Sequence, residues 1–144
     1  MNRTAVGPMK WALATEGILE IPRIATGVGV ILYSPGHHLA AGLHVLARRS
    51  PSRGDGAGSF LEAALTDVWR EFGRRGVPLE LSVALAGGGS LLAGTGLDEA
   101  GGKLVQQVRQ ALAARQLGVK LENVGGSRLR TLELDVAEGR IRVS

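Results

Sequence analysis

The chain has 144 residues, enough for one domain, and 44% of them are hydrophobic, enough to fill a single core. Cysteine is absent, which excludes disulfides, thiolate metal sites and cysteine nucleophiles. Seventeen basic residues against thirteen acidic ones leave a net charge of +4, yet the arginines are interspersed with acids and aromatics make up only 3%. That pattern argues against a nucleic-acid partner, which needs a basic stripe and rings to stack on bases.

In chain order, the opening MNRTAVGPMKW holds no apolar run resembling a signal peptide, so a cytoplasmic location is the simplest expectation. Short Val/Leu/Ile-rich segments predict strands over Lys10–Thr15, Val28–Tyr33 and Leu39–Leu46. The stretch PRIATGVGVILYSP, Pro22–Pro35, reads as a buried strand fed by a glycine-rich turn. RRSPSRGDGAG, Arg48–Gly58, is all turn formers and charge and predicts a mobile surface loop. Ser59 followed by Glu62 fits a capping box, Leu61, Leu65, Val68 and Phe72 follow at helical spacing, and Gly76 with Pro78 ends that helix. A strand over Leu79–Ala86 leads to Gly87-Gly88-Gly89. Asp98 can then cap a second helix with Leu104, Val105, Val108 and Leu112 as its stripe and Gly118 as its stop. Strands over Val119–Val124, Arg130–Val136 and Arg140–Val143 complete the chain, the last two joined as a hairpin by Ala137-Glu138-Gly139. The longest uncharged stretch, Leu81–Leu97, is broken by glycines and falls short of a membrane span. No composition break marks a linker, so residues 1–144 are expected to form one α+β domain.

Few residues invite chemistry. Gly87-Gly88-Gly89-Ser90 and Gly94-Thr95-Gly96 lack the Gly-Lys-Ser/Thr ending of a phosphate loop, and a structural turn is the simpler reading. Adjacent His37 and His38 would point to opposite sides of an extended chain, with no nearby carboxylate or thiolate to complete a metal shell, so neither a metal nor a cofactor is expected. His44 lies in the apolar run Leu39–Leu46, where a lone histidine is usually a satisfied structural group. From the residues alone no active site is evident.

The C-terminal half nevertheless resembles a known family. LAGGGSLL, Leu85–Leu92, followed by Gly101–Ser144, is similar to the end of the CheD family of chemoreceptor glutamine deamidases. That family has a Gly-Gly-Ala-type turn after a strand, a helix opening on Ile-Gly-x-x-Asn, and Val-Gly-Gly before an Arg-rich terminal hairpin. Gly87, Gly88, Gly101, Val124, Gly125, Gly126, Arg130, Gly139 and Arg140 fall in register, while Leu104 replaces the helix-start Asn. Tyr33-Ser34-Pro35 resembles the family's turn after the first long strand, and GLHVLARR its Ala-His-x-x-Leu-Pro strand, which puts His44 on the catalytic histidine.

The resemblance implies a layered sandwich of packed β-sheets with helices covering one face. It also implies a cysteine, in Thr-x-Gly-x-Gly-Ser-Cys, that attacks a receptor glutamine carboxamide to form a thioester. Counting back from Pro35 without a gap puts Gly27 at the cysteine and Ile21 at the threonine. Alternatively Thr26-Gly27-Val28-Gly29 matches the Thr and Gly-x-Gly, and Ser-Cys is deleted. Either way the nucleophile is lost. The expectation is a CheD-like pseudoenzyme of chemotaxis signalling. His44 and Thr26 are its vestigial catalytic positions and Gly27, Gly29, Gly87 and Gly88 line its pocket; it would bind a chemoreceptor cytoplasmic domain or a CheC-type phosphatase. An amidohydrolase using a Thr26 or Ser34 hydroxyl, and a binder of nucleic acid or another anionic partner, are the alternatives.

Overall fold

A computed structural model describes residues 2–47, 56–90 and 98–144. Among these described residues nine strands form two sheets. The first has the order β1-β3-β8-β9, built from β1 (Arg3–Ala5), β3 (Ile18–Ile24), β8 (Arg130–Asp135) and β9 (Arg140–Val143). The second has the order β2-β5-β4-β6-β7, built from β2 (Lys10–Ala14), β5 (Leu39–Val45), β4 (Val28–Ser34), β6 (Ser82–Gly87) and β7 (Val119–Val124). Two helices, α1 (Ala57–Arg74) and α2 (Asp98–Ala113), complete a mixed α+β structure.

Side-chain alternation explains the layering. In β4 and β5, Val28, Val30, Leu32, Leu39, Ala41, Leu43 and Val45 pack with the apolar faces of both helices. The intervening Ile31 and Ala40 join Leu19, Ile21, Leu132 and Leu134 of the first sheet in a second apolar cluster. The five-stranded sheet is therefore buried on both faces, and β4 and β5 read as nearly continuous apolar runs for that reason. Both helices cover the same face, as the family resemblance implies.

The two predicted helical stripes are the buried faces: Leu61, Leu65, Val68 and Phe72 in α1, Leu104, Val105, Val108 and Leu112 in α2. The start of α1 and the end of α2 differ from expectation. Helix α1 starts at Ala57 after Gly56, with Phe60 N–H bonded to Gly56 O at 3.2 Å, so Ala57 and Gly58 belong to the helix. Ser59 is then inside the first turn and caps nothing, and Glu62 pairs instead with Arg115 at 3.0 Å. The other expected loop positions, 48–55, lie outside the described residues, as does Gly94-Thr95-Gly96. At the C-terminus of α1, Gly76 adopts φ +70° and Val77 N–H bonds back to Phe72 O, which is the expected glycine stop. After α2 the same turn is made by Gln116 at φ +61°, with Leu117 N–H on Leu112 O, and not by Gly118.

Strands β1 and β3 were not legible. Strand β3 contains Pro22 and a bulge between Ile21 and Ile24 where Arg23 takes φ +56°, so its alternation breaks midway. Strand β6 begins at Ser82 and not Leu79, because Pro78, Leu79 and Glu80 stay exposed in the connection.

Candidate functional site

Pairing of β4 with β5 sets Gly29 opposite His44, and Gly27 lies in the bend just before β4. Since Leu43 and Val45 face the helices, His44 faces the first sheet. It is 2% exposed, and neither ring nitrogen has a hydrogen-bond partner among the described residues. Burial pushes its pKa below the ordinary histidine value, so the neutral imidazole is the form this environment favours. A Cβ placed on Gly27 would stand 3.4 Å from His44 Nε2 and 2.7 Å from Val45 O.

Three glycine-bearing segments meet beside this histidine. Gly88 N–H donates to Gly27 O at 2.8 Å, Gly89 N–H to Ala25 O at 3.1 Å, and Gly125 N–H to Gly87 O at 2.9 Å. Gly87 and Gly88 have φ of +117° and +63°, a region that L side chains avoid. A Cβ on Gly87 would collide with Gly27 O, one on Gly88 with Val105, and one on Gly29 with Ile24. These glycines let backbone segments touch, and the space beside them is filled by neighbouring atoms. Ile21, the gapless match to the family threonine, is fully buried and packs near Gly29. Thr26 is half-buried in the bend, and its hydroxyl makes no hydrogen bond among the described residues.

The arrangement is tied by a residue that composition alone did not single out. Arg130, only 6% exposed, donates from Nε to Asn123 Oδ1 at 2.8 Å, from one terminal nitrogen to Gly125 O and from the other to Gly87 O at 3.5 Å. Burial, and secondarily the charge of Arg128, push its pKa down from the ordinary arginine value. The signal was available: Arg130 shares the two-residue period of Leu132 and Leu134, so it had to point inward with them. His37 and His38 sit elsewhere, on the exposed turn between β4 and β5. His37 Nδ1 meets Ser34 Oγ at 2.9 Å, and His38 takes φ +50°.

The model of the CheD family, described as CheD chemotactic sensory transduction, matches residues 46–144. The chain belongs to the CheD family. That match contains the glycine turns and Arg130, and longer similarities extend over His44 and Gly27. The chemoreceptor glutamine deamidase CheD of Thermotoga maritima is 27% identical over 91% of this chain and 83% of its own length. A probable chemoreceptor glutamine deamidase CheD of Symbiobacterium thermophilum is 29% identical over 100% of this chain and 92% of its own length. One from Chromobacterium violaceum reaches 33% identity over 79% of this chain and 62% of its length. The chain itself has no cysteine.

Among the described residues no helix is long and apolar enough to cross a membrane.

Proposed function

We propose that this CheD-family chain binds the glutamine-bearing cytoplasmic domain of a chemoreceptor without deamidating it. One observation carries the reading. His44 lies buried beside Gly27 with both ring nitrogens unpartnered among the described residues, in a chain with no thiol for it to activate. Thioester chemistry needs a thiolate to attack the carboxamide carbon, and glycine offers nothing in its place. The Thr26 hydroxyl would have to shed a proton to a base within hydrogen-bond reach, and it makes no such bond among the described residues. What remains at this corner is the family's arrangement of backbone turns around a buried imidazole, without the thiol that would act on a carboxamide. A CheC-type phosphatase is the second candidate partner, on the strength of the family resemblance alone.

The test is mass spectrometry of a chemoreceptor cytoplasmic fragment incubated with this chain, beside the Thermotoga maritima relative as the active control, with binding of the same fragment measured in parallel. Saturable binding with no gain of about 1 Da per glutamine is the expected outcome. A mass gain lost in His44→Ala would replace the reading with hydroxyl-dependent hydrolysis. No binding of the fragment would overturn receptor recognition.

A further inference from the structure

The His44 ring is buried, and neither Nδ1 nor Nε2 has a partner among the described residues. Buried polar side-chain atoms are nearly always paired, so an exception in a folded chain calls for a partner and a way in. The atoms nearest that way in are fixed by geometry. Around the point where a side chain on Gly27 would begin, the three nearest atoms are Val45 O at 2.7 Å, Leu46 Cδ2 at 2.9 Å and His44 Nε2 at 3.4 Å. The carbonyl belongs to a backbone held in register by the pairing of Val45 with Val28, and the imidazole nitrogen is the group to be reached. Only the leucine end can turn aside about its own side-chain bonds. Leu46 therefore fills the corner that Gly27 and His44 share, and being half-buried it also meets solvent.

Leu46 is held less firmly than the strand behind it. It is the first residue after β5 (Leu39–Val45), past the last rung of the β4–β5 ladder. Its N–H donates to Met9 Sδ at 3.3 Å, and a thioether is a weak acceptor. Met9 is placed by its own N–H on His44 O at 2.7 Å and takes φ +54°, a left-handed conformation that costs a residue with a side chain. We infer that Leu46 is a gate over the His44 imidazole, closed by the Met9 contact and turned outward when a polar side chain of the partner enters to pair with the ring. The exchange favours a polar head: a group that donates to or accepts from the ring satisfies a buried nitrogen, whereas an apolar one leaves both nitrogens unpaired. The inference rests on the reading that this corner receives a receptor side chain, and adds what limits entry. A closed gate lowers apparent affinity in proportion to the fraction of molecules that are open, so loosening it should strengthen binding.

Carbethoxylation of histidines by diethyl pyrocarbonate, followed residue by residue with peptide mass spectrometry, tests the gate without any partner. His37 and His38 are exposed and serve as internal references. In the native chain His44 is expected to react about tenfold or more slowly than either, because only the open fraction reacts. Leu46→Ala should raise the His44 rate by about tenfold, and Met9→Leu, which keeps the bulk and removes the sulfur acceptor, by about threefold. Hydrogen exchange at the Leu43 amide, inside β5, should stay as in the native chain and so separate local opening from unfolding. A native His44 as reactive as His37, a rate unmoved by both substitutions, or a rate that rises only in step with Leu43 exchange would overturn the gate. Binding of the chemoreceptor fragment is the second arm, and Leu46→Ala should tighten it about tenfold. If the native chain binds the fragment and Leu46→Ala binds it no more tightly, the gate does not limit recognition and the inference fails. If no form binds the fragment while His44 reactivity responds as expected, the gate stands and the receptor reading is the one that falls.

Discussion

His44 is a buried imidazole with no partner among the described residues, and that makes it a pH-sensitive point in the fold. Desolvation lowers its folded pKa below the unfolded value near 6.5, so the unfolded chain binds the extra proton first. The stability it secures is complete above about pH 6.5 and is lost as pH falls from there toward the depressed folded pKa. Denaturant midpoints measured from pH 7.5 down to 5 should therefore fall in the native chain and fall less in His44→Phe, which keeps the volume and removes the titration. Parallel profiles would show that the ring is solvated. Glu71 and Glu122, whose pKa values are lowered first of all by hydrogen bonds from Arg74 and Arg109, act in a more acidic window and do not confuse the comparison. Gly27, next to His44, is limited by space and not by charge. Its Cβ would press on the Val45 carbonyl, a backbone atom that cannot swing away, so Gly27→Ala should destabilise by about 1–3 kcal/mol in urea denaturation. A neutral substitution would mean that β5 shifts freely there. It follows that replacing Gly27 by cysteine would not restore a thiol without moving the backbone.

Among elements, the helix ends reveal what sequence pattern can and cannot resolve. The apolar faces of α1 and α2 were legible because their spacing is dictated by the helix repeat. Of the caps, the glycine stop at Gly76 was legible, while the start of α1 and the end of α2 were not, because several residues there satisfy the same rule. Ser59-x-x-Glu62 has the composition of a capping box, but Gly56 provides the first turn, and Gln116 takes the left-handed position that Gly118 seemed to offer. Gln116 carries a strain that Gly76 avoids at the end of α1. Gln116→Gly should raise stability by about 0.5–1 kcal/mol, the left-handed penalty less the extra unfolded-chain entropy of glycine, read as an increase in melting temperature. A decrease would mean that the Gln116 side chain contributes packing worth more than the strain. The same limit hid β1 and β3: a three-residue strand and one interrupted by Pro22 and a bulge leave little period to detect. The candidate site was legible in part. His44 and the glycine turns were readable by resemblance, and their mutual contact needed the fold, because Gly27, Gly87 and Gly125 come from three distant parts of the sequence.

At the scale of the whole molecule, the two sheets share a mainly apolar interface, and polar ties within the structure differ greatly in what they contribute. On the outer surface Glu20 and Glu133 are direct cross-strand neighbours of like charge, and Arg3 reaches both, at 3.1 and 3.6 Å. That bridge is exposed to water, and Arg3→Ala should cost less than about 1 kcal/mol. Arg130 has the opposite setting. It leaves β8 of the first sheet and donates to Asn123 on β7 and to the carbonyls of Gly87 and Gly125, joining the second sheet to the turns beside Gly27. With Arg130→Ala, one buried and two half-buried acceptors lose their donor and a cavity is left, for a cost of ~3 kcal/mol. Arg130→Lys should recover little of this, because one ammonium cannot reproduce a planar fork directed at three acceptors. Urea unfolding of the three variants separates the cases. If Arg130→Lys unfolds like the native chain, positive charge alone suffices there; if it unfolds like Arg130→Ala, the guanidinium geometry is what holds the turns beside His44 in place.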